Sequence, residues 1–213
     1  MTPEPERNCR LCPRLVAFRE ECQANYPDWF NAPVPSFGPE TATLLIVGLA
    51  PGMRGANRTG RPFTGDFAGD LLYETLDAFG FSSGRYDARP DDGLKLHDCM
   101  VTNAVRCLPP QNKPIGQEIN TCREFLANRI AQLPELRVII VLGRIAHEAT
   151  VSAMGHRKSA FPFAHRARHQ VSETITLLDS YHCSRYNTNT GRLTPDMFRR
   201  VFQDARACLR GDI

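Results

Sequence analysis

No stretch of this 213-residue chain approaches the roughly 18 consecutive apolar residues that a membrane-crossing helix needs, so no membrane span is expected. The opening Met1-Thr2-Pro3-Glu4-Pro5-Glu6-Arg7 lacks the apolar core of a secretory leader. That points to the cytoplasm, where disulfides are rare. Internal repeats and low-complexity linkers are also missing, which excludes solenoids and tethered arrays. Neither sign of charge dominates: 26 Lys and Arg against 23 Asp and Glu leave a net +3, too little to define a partner. Hydrophobic residues make up 42%, enough for a sizeable core. A single domain over residues 1–213, working as a monomer, is expected.

What the chain does have is cysteine, eight in all. Cys9-Arg10-Leu11-Cys12 places two sulfurs on one local turn, where both reach a single metal centre. Cys107 and Cys122, from a distant segment, would complete a four-thiolate site. Zinc favours close C-x-x-C pairs on both sides, while four thiolates suit an iron–sulfur cluster equally well. The residues alone leave both open. Cys22, Cys99, Cys183 and Cys208 remain, and read as buried free thiols.

Secondary-structure signals alternate. Residues 9–22 have helical character. Thr43–Gly48 is a short apolar, β-branched run ending in Gly, the pattern of a buried parallel strand. Asp66–Phe79 reads as a helix stopped by Gly80. A strand over Cys99–Arg106, a helix over Gly116–Leu133, a strand over Val138–Gly143 and a helix over Ile145–Met154 follow. Ile175–Tyr181 is a fourth strand. Thr194 and Pro195 then open a last helix running to Arg210. The alternation predicts a three-layer α/β/α sandwich around a central four-stranded, mainly parallel sheet. In that architecture ligands bind at the carboxyl ends of the strands, so the chemistry is expected in the loops after Gly48, Asn103 and Tyr181.

Those loops hold three motifs. Gly48-Leu49-Ala50-Pro51-Gly52 fits neither G-x-x-x-x-G-K-[ST] nor G-x-G-x-x-G, which makes nucleotide-cofactor readings poor. Asn57 to Asp66 is a basic, Gly-rich loop with one aromatic, Phe63. Such a ring either stacks on a base or folds into the core, and taken alone it reads as core. His182 to Arg192 supplies hydroxyl, amide and guanidinium groups suited to phosphate oxygens. Basic residues also gather elsewhere in loops: Arg54, Arg58 and Arg61 in one, and His156, Arg157, Lys158, His165, Arg166, Arg168 and His169 in another. These either line a phosphate groove or are solvated surface.

Together, Gly48–Gly52, Gly60–Asp66, Thr102–Cys107 and His182–Asn187 resemble the uracil-DNA glycosylase superfamily, nearest to its family five, the type b iron–sulfur enzymes. The resemblance runs from Cys9 to Phe198. Each motif is weak, but their order together with the cysteines is specific. It implies removal of uracil from DNA, and of other deaminated bases (hypoxanthine, xanthine, substituted cytosines), after the nucleotide flips out of the duplex. It implies a structural [4Fe–4S] cluster on Cys9, Cys12, Cys107 and Cys122. It makes His182 the donor to the departing base, Phe63 the plate on its face and Asn103 the reader of its edge. Gly48, Ala50, Gly52 and Asn112 surround the pocket.

Two departures from the family pattern matter. The turn that elsewhere carries an acid to handle water here holds Leu49 and Ala50. Asp66 is the nearest acid, expected both to position water and to cap its helix. Gly52 stands where uracil-strict relatives carry a bulky ring, which implies a roomier pocket. On the DNA side, Arg58, Ser184, Asn187, Thr190 and Arg192 are expected at phosphates. Tyr186 is the expected wedge, with Arg185 and Asn187 as alternatives. No Lys lies in a motif, so lyase chemistry is not expected. The competing reading is a non-catalytic module that senses damaged DNA.

Overall fold

The computed structural model describes residues 2–212. Its helices and strands run α1 (Pro13–Asn25), β1 (Leu44–Gly48), α2 (Ala56–Thr59), α3 (Phe67–Ala78), β2 (Ser82–Ser83), β3 (Lys95–Leu96) and β4 (Cys99–Asn103). They continue α4 (Gly116–Ala131), β5 (Val138–Leu142), α5 (Arg144–Ala153), β6 (Arg168–Gln170), β7 (Thr176–Ser180), α6 (Arg185–Asn189) and α7 (Pro195–Arg210).

The main sheet has the order β4-β1-β5-β7-β6. The first four strands are parallel, and β6 runs antiparallel to β7. Five strands therefore replace the expected four. The extra strand, Arg-His-Gln at the sheet edge, has no apolar run for a hydrophobic pattern to reveal. β2 and β3 pair separately as a small antiparallel ribbon.

β1 and β5 are buried along their whole length, because helices cover both faces. Leu44, Ile46, Val138 and Ile140 point to one layer and meet Leu72 and Leu76 of α3 and Phe198, Val201 and Phe202 of α7. Leu45, Val47, Ile139 and Val141 point to the other and meet Leu126 of α4 and Ala146 and Ala149 of α5. A third cluster, Leu15, Val105, Cys122 and Phe125, pins α1 beside α4. Caps fix where the helices begin. Asp66 Oδ1 accepts from the Gly69 amide, and Thr194 Oγ1 accepts from the Met197 amide.

β4 ends at Asn103, short of the expected Arg106. Even so, the Ala104 and Val105 amides bond the carbonyls of Gly48 and Leu49, so this segment tracks the turn after β1. The carboxyl ends of β1, β4 and β7 thereby bring three loops to one rim.

Candidate active site

A cavity of about 380 Å³ opens at that rim. Its wall includes Ala50, Gly52, Phe63, Asp66, Asn103, Asn112, His182, Ser184 and Arg185. Three loops distant in sequence thus place nine of the fifteen residues nominated for base, water or DNA at a single site.

Phe63 belongs to the buried core and also faces the cavity, so the two readings of this ring coexist. Its φ of 54° lies in the left-handed region, unusual for a bulky residue. The surroundings hold it there. The Tyr73 hydroxyl donates to the Pro62 carbonyl at 2.6 Å, and the Tyr86 hydroxyl donates to the Phe63 carbonyl at 3.3 Å. Arg61, buried, forks onto both carboxylate oxygens of Asp92 at 2.8 and 2.7 Å and lies over the rings of Phe37, Tyr73 and Tyr86. That pairing drives the Asp92 carboxyl far below the usual carboxylate range. Arg61 is therefore a brace for the loop and is not available to phosphate, contrary to a groove-lining role.

Gly48 is required by close approach. A Cβ there would collide with the Phe63 ring and sit 2.5 Å from Asn103 Oδ1. Gly55 is required for the same reason, since a side chain would strike the Asp66 carboxylate. At Gly52 a Cβ would lie 3.1 Å from Asp66 Oδ2. The backbone of residues 52–55 thus wraps Asp66 closely. Burial pushes the Asp66 pKa up, opposed by the amides of Gly69 and Ala68. The sequence showed Gly52 but not Gly55, whose need arises only from where Asp66 folds.

His182 faces Phe63 across 6.0 Å between ring centroids, with the planes 28° apart. Burial pushes its imidazole down to about 4, so the ring is neutral at physiological pH. Among the described residues no protein group hydrogen-bonds its ring nitrogens, and the Asn103 carboxamide is likewise unpartnered.

Outside the cavity mouth the expected DNA contacts divide. Arg58, Arg185 and Arg192 are exposed, Arg185 over the Phe67 ring and Arg192 over the Tyr181 ring. Tyr186 is 73% exposed on α6, a short helix where sequence showed only a loop. Ser184 caps that helix, accepting from the Asn187 amide. Asn187 Nδ2 donates to the His182 carbonyl at 2.8 Å, and Thr190 Oγ1 donates to the Tyr186 carbonyl at 2.8 Å. Those two side chains shape the loop as it stands.

The histidines of the basic connection are engaged within the protein and half-buried, while Arg157, Lys158, Arg166 and Arg168 stay exposed. His147 Nδ1 meets Asp179 Oδ1 at 2.6 Å, and His169 Nε2 meets Asp179 Oδ2 at 3.1 Å. His156 bonds the Val171 carbonyl, and Arg166 forks onto Asp204.

Cys9, Cys12, Cys107 and Cys122 line one further cavity, together with Leu15, Arg19, Val105, Arg106 and Phe125. The two cysteine pairs, a hundred residues apart in sequence, are brought together by α1 docking on α4. Burial raises the Cys107 thiol to about 12 and the Cys122 thiol to about 11. Among the described residues, no three of the four sulfurs lie within 4.8 Å of one another. Of the remaining cysteines, Cys22, Cys99 and Cys183 are buried as expected, while Cys208 is only half-buried.

Fold and rim cavity together define an α/β protein with an aromatic ring and a neutral imidazole facing one cavity at the carboxyl ends of its strands. The family model described as "Uracil DNA glycosylase superfamily" matches residues 35–206. The type-5 uracil-DNA glycosylase of Thermus thermophilus is 48% identical over 204 residues, covering 93% of this chain and 92% of that protein. Those of Mycobacterium leprae and Pyrobaculum aerophilum are 41% and 35% identical, covering 93% and 94% of this chain and 90% and 88% of their own. The chain belongs to the uracil-DNA glycosylase superfamily and, within it, to the type-5 family. No helix among the described residues is long and apolar enough to cross a membrane.

Proposed function

We propose that this protein is a monofunctional DNA glycosylase of base excision repair, hydrolysing the N-glycosidic bond of uracil after the nucleotide flips into the rim cavity. The observation that carries this reading is the convergence of Phe63, Asn103, Asp66 and His182 on that cavity, with the hydrogen-bonding groups of Asn103 and His182 unspent.

The chemistry follows from these groups. The flipped base lies against the Phe63 face, with Asn103 at its polar edge and Gly48 and Ala50 behind it. As the bond from sugar to base breaks, its electron pair moves to the base and negative charge develops on O2. A neutral imidazole donates a hydrogen bond there without needing to lose a proton first. Positive charge grows on the sugar, and the Asp66 carboxylate both opposes it and orients the attacking water. Burial makes that carboxylate a stronger base than an exposed one. Leu49 and Ala50 leave Asp66 as the acid that lines the cavity. Arg58, Arg185 and Arg192 meet phosphates, with Ser184, Asn187 and Thr190 shaping the loop they flank. Tyr186 fills the gap left in the stack, offsetting an unstacking cost of a few kcal/mol.

The proposed cofactor is a [4Fe–4S] cluster on Cys9, Cys12, Cys107 and Cys122. The donor set fits: four soft sulfurs in a recess shared with apolar Leu15, Val105 and Phe125 and with the cations Arg19 and Arg106. When bound, the cluster supplies a rigid link between α1 and the segment after β4. The hydrolysis draws no electrons from it. The protein is proposed to act as a monomer on cytoplasmic DNA. The open wall at Gly52 also supports release of larger deaminated bases, a proposal that comparison of hypoxanthine with uracil as substrate tests directly.

The deciding measurement is free uracil released from a uracil-containing duplex. Wild type is expected to release it, and Asp66→Asn to release it about 10²–10⁴ times more slowly. A wild type that binds the duplex but releases no base would favour the non-catalytic module instead.

A further inference from the structure

Five buried side-chain nitrogen or oxygen atoms among the described residues lack a hydrogen-bond partner. Two of them, Arg19 Nη1 and Arg106 Nε, belong to residues that line the four-cysteine cavity. Arg19 is 8% exposed and Arg106 not at all. A guanidinium N–H buried without an acceptor is costly, and these two belong to residues that stand beside the four sulfurs.

The rest of each side chain is anchored. Arg19 Nη2 donates to the Cys9 carbonyl at 2.9 Å. Arg106 Nη1 donates to Glu4 Oε2 at 2.8 Å and to Ser36 Oγ at 2.9 Å. The Arg106 backbone amide donates to Cys122 Sγ at 3.4 Å. Cys122 thus already receives an N–H from the residue that precedes Cys107. Two cations, one amide and the Thr121 hydroxyl share this recess with the four sulfurs. Four thiolates around a metal centre carry a net negative charge, and a dry, low-dielectric pocket raises the value of a nearby counter-charge.

We propose that Arg19 and Arg106 are positioning residues for the anionic metal centre, supplying its counter-charge and donating to its sulfurs through Arg19 Nη1, Arg106 Nε and the Arg106 amide. This rests on the cluster reading above. Both act on the centre's stability and potential, and neither touches the base. Removing one cation should disfavour the more negative, reduced form and so lower the midpoint potential. Outer-shell partners of a metal site typically contribute 10–100-fold to its retention.

The test uses full-length protein purified without oxygen. Wild type, Arg19→Met, Arg19→Gln and Arg19→Lys are compared for iron and labile sulfide, absorbance near 400 nm, rate of bleaching by an iron chelator, and midpoint potential. Arg19→Met and Arg19→Gln are expected to bleach at least tenfold faster, with a lower potential. Arg19→Lys is expected to recover most of the potential. Arg19→Gln retains side-chain donors for the Cys9 carbonyl, so it remains informative if Arg19→Met fails to fold. Bleaching and potential identical to wild type in both neutral variants would overturn the inference while leaving the cluster intact. A wild type carrying zinc, with no iron or sulfide, would overturn the cluster reading itself.

Discussion

Two histidine–aspartate neighbourhoods in this molecule look alike in composition and differ in one respect. His147 and Asp179 are buried and His169 half-buried, both histidines bond the Asp179 carboxylate, and His147 Nε2 also meets the Phe161 carbonyl at 2.7 Å. Burial works against charging His147, but the Asp179 carboxylate prevails and its pKa is raised. At the rim, His182 and Asp66 line a common cavity but make no bond to each other. His182 has no protein partner at its ring, and burial alone sets its pKa. In the first neighbourhood both nitrogens of His147 and both oxygens of Asp179 have been satisfied by folding. In the second, Asp66 keeps the Gly69 amide while, among the described residues, the His182 ring has no hydrogen-bond partner. Satisfaction, rather than residue type, separates scaffold from chemistry here.

Exchanging the two roles gives the sharpest test. His182→Ala should slow uracil release about 10²–10³-fold, the usual cost of one lost donor to a developing anion, with little change in thermal midpoint. His147→Ala should do the reverse. It leaves Asp179 buried with one partner fewer, a loss of about 3–5 kcal/mol by denaturant titration, while turnover of the folded fraction stays near wild type. If His147→Ala abolished turnover without loss of stability, the division would be wrong.

A smaller effect is expected at the duplex. Tyr186→Ala should reduce release from double-stranded substrate roughly tenfold and leave single-stranded substrate nearly unaffected, because only the duplex must be unstacked. Equal losses on both would mean that Tyr186 contacts the strand without acting as a wedge.

The smallest effect is one of pH. The folded pKa of His182, about 4, lies below its ordinary value of 6.5. Its contribution to stability is therefore complete above pH 6.5 and lost as pH falls toward 4. Thermal midpoints followed from about pH 7 to about pH 4.5 should fall less steeply in His182→Asn than in wild type. Parallel curves would show that the ring is solvated in the folded protein.

Much of this arrangement could be read from residues alone, for local reasons. Of the four parallel strands, β1 and β5 are apolar runs rich in Val and Ile, while β4 and β7 end in polar residues and show through their alternation with helices. The Asp66 and Thr194 caps lie one residue before their helices. The grouping of Cys9 and Cys12 with Cys107 and Cys122 followed from sulfur chemistry and a family resemblance, which also named Phe63, Asn103 and His182. What stayed hidden depends on partners far along the chain. Arg61 looked like a phosphate contact because nothing near it in sequence indicates Asp92. The partners of His156, His169 and Arg166, namely the Val171 carbonyl, Asp179 and Asp204, were hidden for the same reason. β6 is too short and polar to show a period, and α6 has no apolar stripe. Gly55 is constrained by a carboxylate eleven positions away, which only the folded loop brings against it.

The segment from Asn103 to Cys107 begins in one cavity and ends in the other, and Ala50 lines the first while packing against the cluster of residues beside the second. The two compartments therefore share a party wall only a few peptide units long. On the proposed cluster and glycosylase readings, iron starvation or oxidant attack on the sulfurs would shift that partition before the sheet itself gave way. Its earliest sign would be blurred discrimination among bases, with gross inactivation arriving later.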